Sequence, residues 1–120
     1  MEPLFTQVAW FLEDLIVDGS LAAGARTPST NELAAFHGIN AATARRGIAL
    51  LVDDGVLHTR RGLGTFVTPD ARDIIVKRRR ELLPEDFVAP LIDESLRLGY
   101  DRGALVTLVE KVAESRGMYR

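Results

Sequence analysis

The sequence predicts a mainly α fold carrying one small β-hairpin, and three observations predict it. Two short helical patterns, each with its own cap, stand on either side of Gly38 within residues 28–54. Two strand-like runs, 56–59 and 65–68, flank the Gly-rich basic turn Arg60-Arg61-Gly62-Leu63-Gly64. Beyond Pro69 the apolar residues return at helical spacing. The chain therefore divides into an N-terminal part, residues 1–69, and a helical region, residues 70–120.

Residues 4–18 read as the first helix. Val8, Leu12, Leu15 and Ile16 share one side of it, and Gly19 ends it. Trp10, Phe11 and Val17 lie outside that stripe. Residues 21–28 form a connecting loop. Ser29 supplies an N-cap, and Glu32 three residues on completes a capping box in which each side chain satisfies the other residue's amide. The helix so started carries Leu33, Ala34 and Phe36 and stops at Gly38, which tolerates the positive φ of a tight turn. Asn40 caps the next helix, residues 40–53, with Ala44, Ile48, Leu51 and Val52 as its buried stripe. Ala42, Arg46 and Ala49 point away from that stripe, with Thr43 and Arg45 on its flanks. A short helix, a glycine turn and a second helix opening with small residues and arginines make a helix-turn-helix. The hairpin over 56–68 adds a wing with a basic tip. In such a motif the second helix enters a DNA major groove by its N-terminal end. Small side chains there allow close approach, and Arg45 has the reach and planar fork for guanine or phosphate.

Pro69-Asp70 closes the wing. Asp70 and Asp73 start a helix whose apolar residues are Ile74, Ile75, Val76, Leu82 and Leu83. Its run Lys77-Arg78-Arg79-Arg80 reads first as a solvated face complementing the helix dipole, and second as a contact for DNA backbone or a partner's acidic patch. Pro84-Glu85-Asp86 reads as the opening of a separate helix carrying Phe87, Val88, Leu91, Ile92 and Leu96, with Pro90 forcing a later start or a kink. Asp101 caps a last helix with Leu105, Leu108, Val109 and Val112. Three short helices cannot bury such stripes among themselves, so burial against a second copy is expected. Phe87, Leu91, Leu105, Leu108 and Val112 are the expected dimerisation residues. Trp10 joins them, with packing against the C-terminal part of its own chain as the other reading.

Composition narrows the function classes. The chain has 120 residues, 47% of them hydrophobic and 27% charged, which suits an ordered domain with a small appendage. It has no cysteine, which excludes disulfides and thiolate metal sites. His37 and His58 read as turn and strand residues; with two imidazoles and no carboxylate cluster beside them, no metal site is expected. No signal peptide or membrane span is expected, and the chain is expected to be cytoplasmic. The net charge of −2 weighs against DNA binding, but its distribution matters more. Residues 1–80 carry ten Lys/Arg against nine Asp/Glu, and residues 81–120 five against eight. The basic residues Arg45, Arg46, Arg60 and Arg61 fall where a winged helix meets phosphate.

Several ordered motifs also carry a family resemblance. Pro3-Leu4-Phe5-Thr6-Gln7-Val8, Gly24-Ala25-Arg26-Thr27-Pro28-Ser29, Glu32-Leu33-Ala34, Gly38-Ile39, Thr43-Ala44-Arg45, Asp54-Gly55-Val56-Leu57 and Gly62-Leu63-Gly64-Thr65-Phe66-Val67 together resemble the GntR family of bacterial transcription regulators. The resemblance covers residues 3–69. It implies a sequence-specific DNA-binding regulator in which Arg45 reaches base edges or phosphate, Thr43 holds phosphate and Asn40 is the small polar cap. Arg61 and Gly62 match the wing tip that borders the minor groove. Ser29, Asn31, Ala41, Ala42 and Arg46 complete the expected DNA-facing set. The chain departs from the family at Asn31 and Ala41, where many relatives carry arginine or another basic or polar residue. Those departures imply a different operator, or one read more through shape and thymine-methyl contact. The short helical tail resembles the YtrA-type subfamily, whose tail serves mainly to dimerise.

The leading expectation is therefore a homodimeric repressor on a palindromic operator, reading double-stranded DNA through helix 40–53 and wing 56–68. The alternative is a winged-helix protein-interaction module without site-specific DNA binding. An enzyme is not expected, since no catalytic constellation or phosphate-binding loop is present. No cofactor is expected. A small-molecule effector is left open, with Trp10, Phe87 and Tyr100 as the aromatic residues to flank it.

Overall fold

A computed structural model describes residues 3–120. The elements are α1 (Leu4–Val17), α2 (Thr30–His37), α3 (Ala41–Asp53), β1 (Leu57–Arg60), β2 (Gly64–Val67), α4 (Ala71–Leu83), a π-helical turn (Pro84–Val88), α5 (Ala89–Arg97) and α6 (Arg102–Ser115). They form two compact units that meet between Arg79 and Arg80.

The first unit is built on α3, against which α1 and α2 both pack. Its core joins Val8, Ala9, Leu12 and Ile16 of α1, Leu33 and Ala34 of α2, and Ala44, Ile48 and Leu51 of α3. Val56, Leu57 and Val67 close it from the hairpin, and Ala71 and Ile75 from α4. Val52, expected in the buried stripe of α3, is only half-buried, and the buried face is shifted toward Gly47 on the opposite flank of Ala44, Ile48 and Leu51. The reason is proximity. A Cβ on Gly47 would stand 2.8 Å from the carbonyl oxygen of Phe5 and 3.0 Å from Val8 Cβ, so α1 and α3 touch backbone to backbone there.

The hairpin is antiparallel, with Leu57 opposite Val67 and Arg60 opposite Gly64. The loop before α2 adds a third line of backbone pairing. Thr27 N donates to Thr65 O at 2.8 Å, Val67 N to Ala25 O at 2.9 Å and Gly24 N to Val67 O at 2.9 Å. The wing is thereby tied to the loop that leads into α2.

The boundary expected after residue 69 lies later because α4 begins inside the first core. Ala71 and Ile75 are buried there, and Arg72 Nε donates to Val17 O at 3.0 Å. One turn on, Arg78 and Arg79 converge on Glu13 of α1. The basic run is thus neither a free solvated face nor a contact kept for DNA or a partner at those two residues. Lys77 and Arg80 alone of the run are exposed.

In the second unit the expected break at Pro84–Asp86 does not occur. Leu83, Val88 and Ala89 all keep right-handed helical dihedrals, and α4 passes through the π turn into α5. Ala89 N–H donates to Pro84 O five residues back. Pro90 has no amide hydrogen and its ring crowds the preceding turn, and the wider π register accommodates it without ending the helix. Leu98 and Gly99 then end the run, and Asp101 Oδ1 caps α6 by accepting from Ala104 N at 2.8 Å. No apolar side chain of residues 80–120 is buried.

Candidate nucleic-acid interface

The interface is assembled from two caps, one helix face and the wing. At Ser29 the expected capping box is present. Ser29 Oγ accepts from Glu32 N at 3.1 Å, and Glu32 Oε1 accepts from Ser29 N at 3.2 Å. The same bond from the Ser29 amide holds the Glu32 carboxyl below the usual carboxylate range. Gly38 closes α2 with φ 64° and ψ 37°, the left-handed conformation that favours glycine. Asn40 Oδ1 then accepts from Thr43 N at 2.8 Å and starts α3.

With Ala44, Gly47, Ile48 and Leu51 turned inward, α3 exposes Ala42, Arg45, Arg46 and Ala49. Ala41 and Thr43 are half-buried at its first turn, and Asn31 and Asn40 are exposed beside it. This face has small side chains where a groove floor would approach and guanidinium groups at its margin. Arg46 lies over the Phe5 ring, 3.9 Å from guanidinium carbon to centroid. On the wing, Arg60 and His58 of β1 both meet Phe66 of β2, Arg60 lying over its ring at 4.8 Å and His58 stacking against it at 6.0 Å. Arg61, Gly62 and Leu63 form the exposed tip, with Gly62 at φ 76°.

Ion pairing separates the arginines of this face from Arg78 and Arg79. Arg78 and Arg79 are engaged by Glu13, Asp14 and Asp54. Among the described residues no salt bridge engages Arg45, Arg46, Arg60 or Arg61. Arg45 and Arg46 on the recognition helix and Arg60 and Arg61 on the wing thus carry charges with no salt bridge among the described residues, as do Arg26, Arg72 and Lys77 elsewhere in the first unit. Two features of this face, the seats provided by Phe5 and Phe66, have no periodic signal in the sequence. Arginine and its ring are brought together by packing in one case and by hairpin register in the other.

The residues expected to dimerise fall in different places. Trp10 is half-buried in the first unit, and the Arg79 guanidinium covers its ring at 3.8 Å. Phe87, Leu91 and Val112 are exposed in the second unit, and Leu105 and Leu108 are half-buried there. Among the described residues no group of three or more His, Cys, Asp or Glu could hold a metal ion, and no helix is long and apolar enough to cross a membrane.

The model of the bacterial regulatory proteins of the gntR family matches residues 4–67, more than half of the chain. This chain belongs to the GntR family. Among its GntR relatives is the transcriptional repressor YtrA of Bacillus subtilis, 26% identical over 91 residues, covering 76% of this chain and 70% of YtrA. The regulator Rv0792c of Mycobacterium tuberculosis is 34% identical over 94 residues, but this chain spans only 35% of its length. Among solved structures, a GntR-family regulator from Listeria monocytogenes superposes with a TM-score of 0.72 at 26% identity, covering 92% of this chain and 95% of that one. The AraR DNA-binding domain, solved in complex with operator ORX1, matches 57% of this chain and 82% of its own at 34% identity and a TM-score of 0.55. The GntR chain described here is a DNA-binding transcriptional regulator, and its relatives are regulators rather than enzymes.

Proposed function

We propose that the protein is a homodimeric repressor that binds a palindromic operator, inserting α3 in the major groove and resting the wing on the adjacent backbone. The observation that carries this reading is the α3 face itself. Ala42 and Ala49 leave room for a groove floor, and the arginines around them have no internal carboxylate partner. Arg45 reads base edges, Thr43 and Asn40 hold phosphate at the helix start, and Ser29 and Asn31 border the backbone. Ala41 and Ala42 offer methyl contact in place of a longer side chain, and Arg61 and Gly62 approach the minor groove. The repressor role follows the name of YtrA.

Dimerisation is supported by the second unit, whose large apolar residues are left in water within one chain. Phe87 is 58% exposed, Leu91 43% and Val112 48%. A second copy supplies the missing burial, with Leu105 and Leu108 alongside, and it places two recognition helices about 34 Å apart or a multiple of that. The reading needs no cofactor and a cytoplasmic setting, and it leaves room for a small-molecule effector that acts on the dimer.

Selection of bound duplexes from a random pool at fixed salt, with wild type and Arg45→Ala in parallel, tests it. The wild type is expected to yield a palindromic consensus, and the variant to relax it at one position in each half-site. An unchanged consensus in the variant overturns the proposed orientation of α3.

A further inference from the structure

Gly47 has a consequence for Arg46. Because no Cβ stands between α1 and α3 at that point, the Phe5 carbonyl lies against α3 and the Phe5 ring comes beneath the next residue back, Arg46. Phe5 is half-buried. The guanidinium lies over it at 3.9 Å, with no salt bridge and no carboxylate partner among the described residues. A contact with the ring uses no hydrogen-bond acceptor, so the N–H groups of the guanidinium remain available to other acceptors.

We propose that Phe5 is a positioning residue for DNA binding, seating Arg46 so that its N–H edge meets a backbone phosphate beside the recognition helix. This rests on the DNA-binding orientation of α3 given above. An unseated arginine loses several rotatable bonds' worth of freedom when it binds, and a seated one has lost part of it already. The seat also assigns the contact. Arg46 is held at the α1 edge of α3, so its fork is not free to extend along the groove for a bidentate base contact. Arg45, one residue earlier and with no ring over it among the described residues, keeps that freedom. The pair therefore divides into one arginine for phosphate and one for bases.

The test is a double-mutant cycle on the full chain, using the duplex that the wild type selects from a random pool and a series of salt concentrations. Phe5→Leu keeps an apolar side chain but removes the ring, and is expected to weaken binding about two- to fivefold. Phe5→Tyr keeps the ring and is expected to bind as wild type. Arg46→Ala is expected to lower the slope of log affinity against log salt by about one per protomer, with equal losses on single-base variants of the site. In the Arg46→Ala background Phe5→Leu is expected to add nothing. Equal losses from Phe5→Leu with and without Arg46 would make the ring merely structural and overturn the proposal. An unchanged salt slope in Arg46→Ala, or a change in preferred base, overturns the phosphate assignment. A wild type that selects no duplex overturns the DNA-binding orientation itself, an outcome distinct from the other three.

Discussion

Glu13 is 2% exposed on a helix face whose other buried members are Val8, Ala9, Leu12 and Ile16. A carboxylate in that position is tolerated only with partners, and two arginines from α4 provide them. Arg78 Nη2 donates to Glu13 Oε2, and Arg79 Nη2 donates to Oε1 at 3.2 Å. Each arginine has a second acceptor, Asp54 at 2.9 Å for Arg78 and Asp14 at 2.7 Å for Arg79. Arg79 also covers Trp10, which gives that ring a partner within the chain. Glu13→Gln removes the charge and turns one acceptor into a donor facing donors. It is expected to destabilise the fold by about 1–3 kcal/mol, read as a lower urea midpoint at unchanged slope. Read from sequence, the stripe of the first helix is Val8, Leu12, Leu15 and Ile16, and Glu13 is not singled out. Its partners are no more legible, because residues 78 and 79 are far away along the chain and reach α1 only through the docking of α4.

At the scale of elements, α2 depends on its start. Eight residues are too few to hold a helix by propensity alone, so the capping box and the packing of Leu33 and Ala34 decide it. Ser29→Ala is expected to lower stability by about 1 kcal/mol in chemical denaturation. The pH dependence follows from Glu32, whose carboxyl the Ser29 amide holds below the usual range. A lowered carboxylate adds stability above its ordinary titration range and loses it as pH falls through the lowered one. Wild type and Glu32→Gln should therefore differ in thermal midpoint at neutral pH and converge in acid. On α3 the informative change is Gly47→Ala. In an open helix this swap stabilises by about 1 kcal/mol. Here the new Cβ meets a backbone oxygen at 2.8 Å, and a net destabilisation of about 1–3 kcal/mol is expected from the same denaturation curves. The caps at Ser29, Asn40 and Asp101 were legible because each is a local hydrogen bond between residues three apart. The passage of α4 into α5 was not, since two prolines read as breakers and the π turn that absorbs them has no pattern of its own.

For the whole molecule the question is what covers the second unit. Ser95 is its one buried residue among those described, and its Oγ bonds back to Leu91 O at 2.7 Å within α5. A 41-residue segment with no buried apolar side chain has little hydrophobic stabilisation of its own. A dimer through this unit predicts that Leu91→Glu combined with Val112→Glu yields a monomer in analytical ultracentrifugation. Operator affinity should then fall on the order of a hundredfold or more, because each half-site is bound alone. A double variant that remains dimeric would place the contact elsewhere on the chain.

What the sequence determined by itself is whatever depends on neighbours along the chain. The two caps around Gly38, the hairpin at Arg60–Gly64, the helical periods and the ordered motifs that mark the GntR family all belong to that class. Tertiary structure decided which cations are free. Six arginines stand in basic pairs or runs at positions 45–46, 60–61 and 78–79, and no sequence pattern marked the last pair as internally neutralised. Folding brings Glu13, Asp14 and Asp54 to the last pair and aromatic rings to Arg46 and Arg60. An ion pair or a cation–π contact needs atoms within a few ångströms; the packing of α1, α3 and α4 brings the distant partners that close, and hairpin register does so for Arg60 and Phe66.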